Sequence, residues 1–145
     1  MSKTVATIGY EHATQPEVID KLVGAQVRTL IDVRAVASSR RAGFSKSLLA
    51  ASLKEAGIDY VHLRDLGTPK PGRQAARAGR TDEMLAIYHA HLEEPAAQVQ
   101  LGQAAEIAKA GKSALLCYEA EACRCHRRVI AERLSASLGL KVEDL

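Results

Sequence analysis

The sequence is poor in aromatic residues, with no tryptophan, one phenylalanine and four tyrosines among 145 residues. Surfaces that bind single-stranded nucleic acid stack bases on aromatic rings, so this scarcity disfavours such a surface. No apolar run approaches the roughly 18 residues that a membrane-spanning helix needs. The apolar part of the amino-terminal segment is too short for a signal peptide. We therefore expect a cytoplasmic protein with no membrane association.

Cysteine is also scarce, and its three copies, Cys117, Cys123 and Cys125, lie close together. An odd number of cysteines in a chain without a secretion signal predicts reduced thiols. A zinc site is disfavoured, because no second Cys-x-x-Cys pair exists and the adjacent Cys125 and His126 would point to different faces of a helix. We predict neither a metal nor a cofactor.

The length and the ordinary charged fraction predict one globular domain spanning residues 1–145. The formal net charge of +3 is mild and does not by itself indicate nucleic acid. Its distribution is more informative, because the basic residues gather in three groups, each after a predicted strand. These groups are Arg34, Arg40 and Arg41; Arg64, Lys70, Arg73, Arg77 and Arg80; and Arg124, Arg127 and Arg128.

Short apolar segments alternate with helical patterns along the chain. Strands are predicted at 5–8, 27–33, 58–63, 114–118 and 141–145, with amphipathic helices between them. This alternation predicts an α/β fold, a three-layer Rossmann-like domain with a mostly parallel sheet of about five strands and helices on both faces. Residues 64–80 contain several glycines and prolines and predict a long basic loop, a candidate lid.

Ligands of parallel α/β sheets bind outside the carboxyl ends of the strands. Polar or ionisable residues follow each of the first four predicted strands, so we expect them to share one edge of the sheet. The candidate catalytic residues are Glu119, Asp32 and Cys117. The candidate ligand-binding residues are Gly9, Tyr10, Arg34, Arg64, Cys125, His126 and Arg127.

The arginines at this edge predict binding of a small anionic ligand, phosphorylated or nucleotide-like. Glu119 or Asp32 would then serve as acid or base in an enzyme. The carboxylates could equally form an ion-pair network that ties the loops to the sheet. One alternative is a nucleic-acid-binding module that uses the basic loops, which is possible but not favoured.

A second alternative is cysteine-dependent chemistry, rhodanese-like or redox, at Cys117 or Cys125. The turn after Cys117 contains two glutamates and no glycine, which disfavours a cradle for a thiolate and an anion. Cys125 falls on the apolar stripe of the last predicted helix, which favours packing over reactivity. The reaction therefore stays open between carboxylate and thiol chemistry.

Several short motifs, in a fixed order over nearly the whole chain, resemble one known family. They are Thr-Ile-Gly-Tyr at 7–10, Ile-Asp-Val-Arg at 31–34, Phe-Ser-Lys at 44–46, Gly-Ile-Asp-Tyr-Val-His-Leu at 57–63, Leu-Gly-Thr at 66–68 and Cys-x-Glu-x5-Cys-His-Arg at 117–127. The family is catalogued as domain of unknown function 488. The resemblance implies a single cytosolic α/β domain and no particular reaction. A looser likeness to rhodanese domains, which have a similar Ile-Asp-Val-Arg strand and strand–Cys–loop–helix unit, is an analogy of fold only.

Overall fold

The computed structural model describes residues 4–118 and 126–145. Five strands form one sheet in the order β3-β2-β4-β1-β5, and every neighbouring pair in it is parallel. The strands are β1 Thr4–Gly9, β2 Thr29–Asp32, β3 Asp59–His62, β4 Ser113–Cys117 and β5 Lys141–Asp144. The prediction of a mostly parallel sheet of about five strands is confirmed.

Six α-helices within the described residues connect these strands. They are α1 Gln15–Gly24, α2 Lys46–Glu55, α3 Lys70–Arg77, α4 Thr81–Leu92, α5 Pro95–Ala110 and α6 His126–Leu138. At the start of α1, Thr14 and Glu17 form a reciprocal capping box, in which each side chain accepts a hydrogen bond from the other residue's backbone N–H. The described part of the chain contains no helix long and apolar enough to cross a bilayer.

The strand order explains why the helices divide into two layers. The chain steps from β1 to β2 to β3 in one direction across the sheet, and then from β3 to β4 and on to β5 in the other. Parallel crossovers are almost always right-handed, so a reversal of direction moves the helices to the opposite face. One apolar core accordingly lies under α1 and α2, and a second lies under the later helices. The predicted three-layer arrangement is confirmed.

Residues 64–80 depart from the sequence prediction, because they do not form a long loop. A short 3-10 turn at Arg64–Leu66 is followed by α3, whose Gly72 and Ala75 are buried. Pro71 lies in the first turn of α3, where the missing N–H of proline leaves no helical hydrogen bond unmade. The prediction of a loop is therefore wrong for the residues of α3. It treated every proline and glycine as a residue that ends a helix, without considering where in a helix each one would lie. A role as a lid stays a prediction.

Two side chains from α4 hold the turn that precedes α3. The buried hydroxyl of Tyr88 donates a hydrogen bond to the carbonyl oxygen of Leu66 at 2.5 Å. The ring of His91 lies with Nε2 2.7 Å from the carbonyl oxygen of Asp65, so Nε2 is the donor. The segment leading into α3 is thus fixed to the helical layer.

Not every apolar residue of the helices faces the core. Leu48 of α2 is 60% exposed and Val99 of α5 is 63% exposed. In α2 the buried pair is Leu49 and Leu53, one helical turn apart. Leu48 precedes Leu49 and is rotated by about 100° from it, so it points away from the sheet.

Candidate functional site

The segments that follow β1, β2 and β4 lie side by side at the carboxyl edge of the sheet. The strand register pairs Gly9 with Cys117 and Asp32 with Leu116. Hydrogen bonds continue beyond the strands, because Tyr10 N donates to Tyr118 O at 3.1 Å and Val33 N donates to Leu116 O at 3.2 Å. The sheet therefore brings the described candidate residues of these three segments to one edge, as the parallel topology predicts.

Asp32 and Arg34 form a buried ion pair on the α1–α2 side of this edge. Arg34 Nη2 lies 2.6 Å from Asp32 Oδ2, and Arg34 Nε lies 2.8 Å from Oδ1. The hydroxyl of Tyr60 also donates to Asp32 Oδ2 at 2.5 Å. Both carboxylate oxygens are thus hydrogen-bonded within the protein. The Asp32–Arg34 part of the ion-pair network that the sequence left open as an alternative is therefore present, whereas Glu119 lies outside the described residues.

The charge state of this pair follows from its surroundings. Burial acts to lower the pKa of Arg34, but the hydrogen bonds and charge of Asp32 outweigh it, so that the pKa is raised overall. Burial, followed by the hydrogen bond to Asp32, raises the pKa of Tyr60. The guanidinium stays charged and Tyr60 keeps its proton, so each remains a donor to the carboxylate.

Arg34 also organises aromatic side chains at the edge. Its Nη1 donates to the carbonyl oxygen of Phe44 at 2.7 Å and to the hydroxyl of Tyr10 at 3.1 Å. The rings of Tyr10 and Phe44 are stacked with centroids 4.3 Å apart, and Tyr118 contacts Tyr10 edge-on at 5.4 Å. Tyr118 is the exposed end of this series.

Cys117 and Arg127 lie on the other side of the sheet. Arg127 Nη1 is 2.9 Å from Cys117 Sγ, and each residue is only 1% exposed. Cys117 is disulfide-bonded, so the prediction of a reduced thiol is wrong at this position. The other two cysteines, Cys123 and Cys125, lie outside the described residues, as does Glu119.

His126 begins α6 and is buried against the end of β2. Its Nε2 lies 2.7 Å from the carbonyl oxygen of Val33, and its ring contacts Tyr88 edge-on at 5.3 Å. Burial lowers the pKa of His126 to about 4, against a smaller raising effect of the Val33 hydrogen bond. The imidazole is therefore neutral at pH 7 and carries its proton on Nε2.

A cavity of about 1080 Å³ opens at this edge of the sheet. This volume is slightly above the usual range for ligand pockets, roughly 300–1,000 Å³. One wall comes from the strand ends and the other from the region of α3 and α4. The lining residues include Tyr10, Arg34, Cys117, Tyr118 and His126 on the first wall and Thr68, Arg73, Ala76, Arg77 and Met84 on the second.

Positive charge exceeds negative charge among the described lining residues, which include three arginines and one carboxylate, that of Glu11. Arg34 is committed to Asp32. Arg73 donates from Nη1 to the carbonyl oxygen of Thr68 at 2.8 Å. Neither Arg73 nor Arg77 forms an ion pair with any residue that the structure describes. Two cations therefore face the cavity without a carboxylate partner from the described chain.

The sequence reading did not select Arg73 and Arg77 as site residues. Their spacing of four residues would place them on one face of a helix, and this spacing could have identified them as a pair. It was not used because no helix was predicted at these residues. Arg64, which was selected, is exposed and is not one of the described residues that line the cavity. Gly9 is the last residue of β1. No group of three or more His, Cys, Asp or Glu side chains in the described ranges could hold a metal ion.

Comparison with known proteins identifies the family but no individual relative. The model of the family described as Domain of unknown function DUF488 matches residues 14–134. Searches of the curated proteins and of the solved structures find no match. Because the family match covers most of the chain, the protein belongs to the DUF488 family, as the motifs in its sequence predict.

Proposed function

We propose that this member of the DUF488 family binds a small anionic ligand in the cavity at the carboxyl edge of its sheet, with Arg73 and Arg77 as the residues that contact the negative charge. The observation that supports this most directly is the pair of arginines that line the cavity without a carboxylate partner among the described residues. A guanidinium presents a planar set of N–H donors that matches carboxylate and phosphate oxygens.

Asp32 and Arg34 have a positioning role in this proposal. The Nε, Nη1 and Nη2 atoms of Arg34 all donate to Asp32, Tyr10 or Phe44, and breaking these bonds to reach a ligand would leave Asp32 buried without its counter-ion. The pair fixes the strand ends that form one wall of the cavity. If the ligand undergoes acid–base chemistry, Glu119 is the better candidate of the two carboxylates predicted from sequence, because both oxygens of Asp32 are occupied.

Calorimetric titration with inorganic pyrophosphate at low ionic strength tests the proposal. Arg73→Gln and Arg77→Gln should each weaken binding by about tenfold, because each removes one charge-assisted contact of about 1.4 kcal/mol. Lys70→Gln is the matched control, since Lys70 lies on the same helix and is exposed like Arg77, but is not a described lining residue. Arg64→Gln tests the residue that the sequence prediction selected instead.

Two results would count against the proposal. One is binding of pyrophosphate that is equally weakened by Lys70→Gln and Arg77→Gln, which would indicate a general charge effect. The other is the absence of binding by phosphate and pyrophosphate alike. Loss of binding in Arg64→Gln with no change in Arg77→Gln would move the site to the turn before α3.

Nucleic-acid binding through the basic segment has less support. Two arginines of that segment, Arg73 and Arg77, line the cavity, and Arg80 pairs with Glu83 at 2.5 Å. Helix α3 packs closely against α4 and so is not an extended arm. Titration of labelled DNA and RNA should therefore show no binding. Low salt is the condition for this test, because contacts with phosphates are strongest there.

Thiol chemistry at Cys117 is a second candidate function, favoured by the contact with Arg127. A dithiol reduces the disulfide in two exchange steps: one of its thiolates attacks a disulfide sulfur and displaces the other sulfur as a thiolate, and its second thiolate then displaces the remaining sulfur, so that the reductant leaves as a disulfide. A thiolate at Cys117 would then lie beside the buried guanidinium, which lowers a thiol pKa.

Alkylation of the reduced protein with iodoacetamide tests this candidate, with modification of Cys117 followed by mass spectrometry as a function of pH. Arg127→Met should move the midpoint to higher pH, because it removes the cation beside the thiolate. The same midpoint in both proteins would exclude activation by Arg127.

A further inference from the structure

Two of the few aromatic side chains of this chain line the cavity. The sequence has one phenylalanine and four tyrosines. Three of these five, Phe44, Tyr10 and Tyr118, form a continuous series of ring contacts that runs from the core to the carboxyl edge of the sheet. Tyr10 and Tyr118 both line the cavity. Two of the five aromatic residues are thus placed at the same site as the two arginines that have no carboxylate partner among the described residues.

The outer end of the series is an exposed apolar surface. Tyr118 is 45% exposed, and Val36, which also lines the cavity, is 57% exposed. Single exposed apolar residues are common on protein surfaces and need no explanation. Here two of the five large apolar residues exposed in the described chain share one cavity. Covering them with an apolar part of a ligand would be favourable.

The ring of Tyr118 is held by its neighbours before any ligand arrives. Its backbone carbonyl accepts a hydrogen bond from Tyr10 N at 3.1 Å. Its ring stands at 84° to the ring of Tyr10, which is itself stacked on Phe44. A ring packed edge-on against its neighbour leaves surface available for stacking, and an ordered ring loses little conformational entropy when a ligand binds.

We infer that the anionic ligand is a nucleoside phosphate, whose planar base packs against Tyr118 and Val36 while its phosphate contacts Arg73 and Arg77. This inference rests on the proposed anion site and adds the second half of the ligand. The cavity of about 1080 Å³ has room for both parts. Base–aromatic stacking tolerates different bases, because each base has a π face.

Calorimetric titration with adenosine 5′-monophosphate, uridine 5′-monophosphate and ribose 5-phosphate separates the two halves of the site. The nucleotides should bind at least about fivefold more tightly than ribose 5-phosphate, because stacking of one base on an aromatic ring adds favourable binding free energy of about this size. Tyr118→Ala should abolish this difference without weakening ribose 5-phosphate binding. Tyr118→Phe, which keeps the ring, should restore the difference. Arg77→Gln should weaken all three ligands by a similar factor.

The outcomes distinguish failure of this inference from failure of the anion proposal. Equal affinity for nucleotides and ribose 5-phosphate, with no effect of Tyr118→Ala, would overturn the inference and leave the anion site intact. Preferential nucleotide binding that Tyr118→Ala does not change would also overturn it, because the base would then lie elsewhere. If none of these ligands nor pyrophosphate binds, the anion proposal itself fails.

Discussion

The side chain of His126 is hydrogen-bonded to the carbonyl oxygen of Val33, with Nε2 and the oxygen 2.7 Å apart. The two residues are 93 positions apart in the sequence. The bond connects the start of α6 to the segment after β2, and His126 itself lines the cavity. The buried imidazole is neutral at pH 7, and its protonation would place a charge in a desolvated site.

We expect acid to destabilise the protein through His126. An unfolded histidine has a pKa of about 6.5, whereas burial lowers the folded pKa of His126 to about 4. Between these values the unfolded chain binds more protons, so the stabilising contribution is fully present above about pH 6.5 and is lost as the pH falls toward 4. The loss by pH 4.5 should be on the order of 2 kcal/mol.

Urea unfolding at pH 7 and pH 4.5 measures this loss, and His126→Gln is the matched variant. Glutamine retains an N–H donor for Val33 but does not titrate, so the variant should lose less stability between the two pH values. The other acidic and basic groups are common to both proteins and cancel in the comparison. An identical loss in both proteins would show that His126 is not the titrating group.

The buried pair of Asp32 and Arg34 should contribute far more to stability than an exposed pair of the same type. Asp32→Asn leaves the buried guanidinium of Arg34 without its counter-ion and should cost about 3–5 kcal/mol. Glu83→Gln breaks the exposed pair with Arg80 and should cost less than about 1 kcal/mol. Urea denaturation of both variants gives the two costs. A small cost for Asp32→Asn would mean that the network does not fix the strand ends.

Gly67 marks a close approach between two backbone segments at the cavity. A Cβ atom at this position would lie 2.2 Å from the backbone nitrogen of Ala35. Gly67→Ala should therefore destabilise the protein by about 2 kcal/mol or more, because backbone must move to relieve the clash. Thermal denaturation should show a lower midpoint than for the wild type.

Gly102→Ala provides the control for this substitution. Gly102 lies within α5, and a Cβ atom there would have no neighbour within 4 Å. Alanine at this helical position should stabilise the protein by about 0.5–1 kcal/mol. Opposite signs for the two glycine variants would support the contact at Ala35, whereas equal small effects would contradict it.

The sequence predicted the sheet and its carboxyl edge well, because both depend on local patterns. Apolar runs located β2 and β4 to within two residues, and the parallel topology follows from their alternation with helices. The side of the sheet that each residue faces was not predicted. The register pairs Asp32 with Leu116, so Cys117, one residue further, points to the opposite face. Register is a tertiary property that these short, wholly buried strands do not reveal.

The cation-lined wall of the cavity was missed for a related reason. To place Arg73 and Arg77 at the cavity, one must know that α3 exists and which of its faces points toward the strand ends. The existence of α3 depends on the position of Pro71 within the helix. The orientation of α3 depends on the contacts of Gly72 and Ala75 with neighbouring segments. Neither is a property of local residue type alone.

The central place of β4 has a consequence for how the chain is assembled. Strands β1 and β2 both hydrogen-bond to β4 and not to each other. A ribosome-bound chain that ends before Ser113 therefore has all the residues of the first three strands but cannot join β1 to the β2–β3 pair. Contacts between residues so far apart in sequence form slowly. The joining of β1 to the β2–β3 pair must wait until β4, about four-fifths of the way along the 145 residues, has been synthesised, and the two halves of the cavity wall at β1 and β2 come together only at that point.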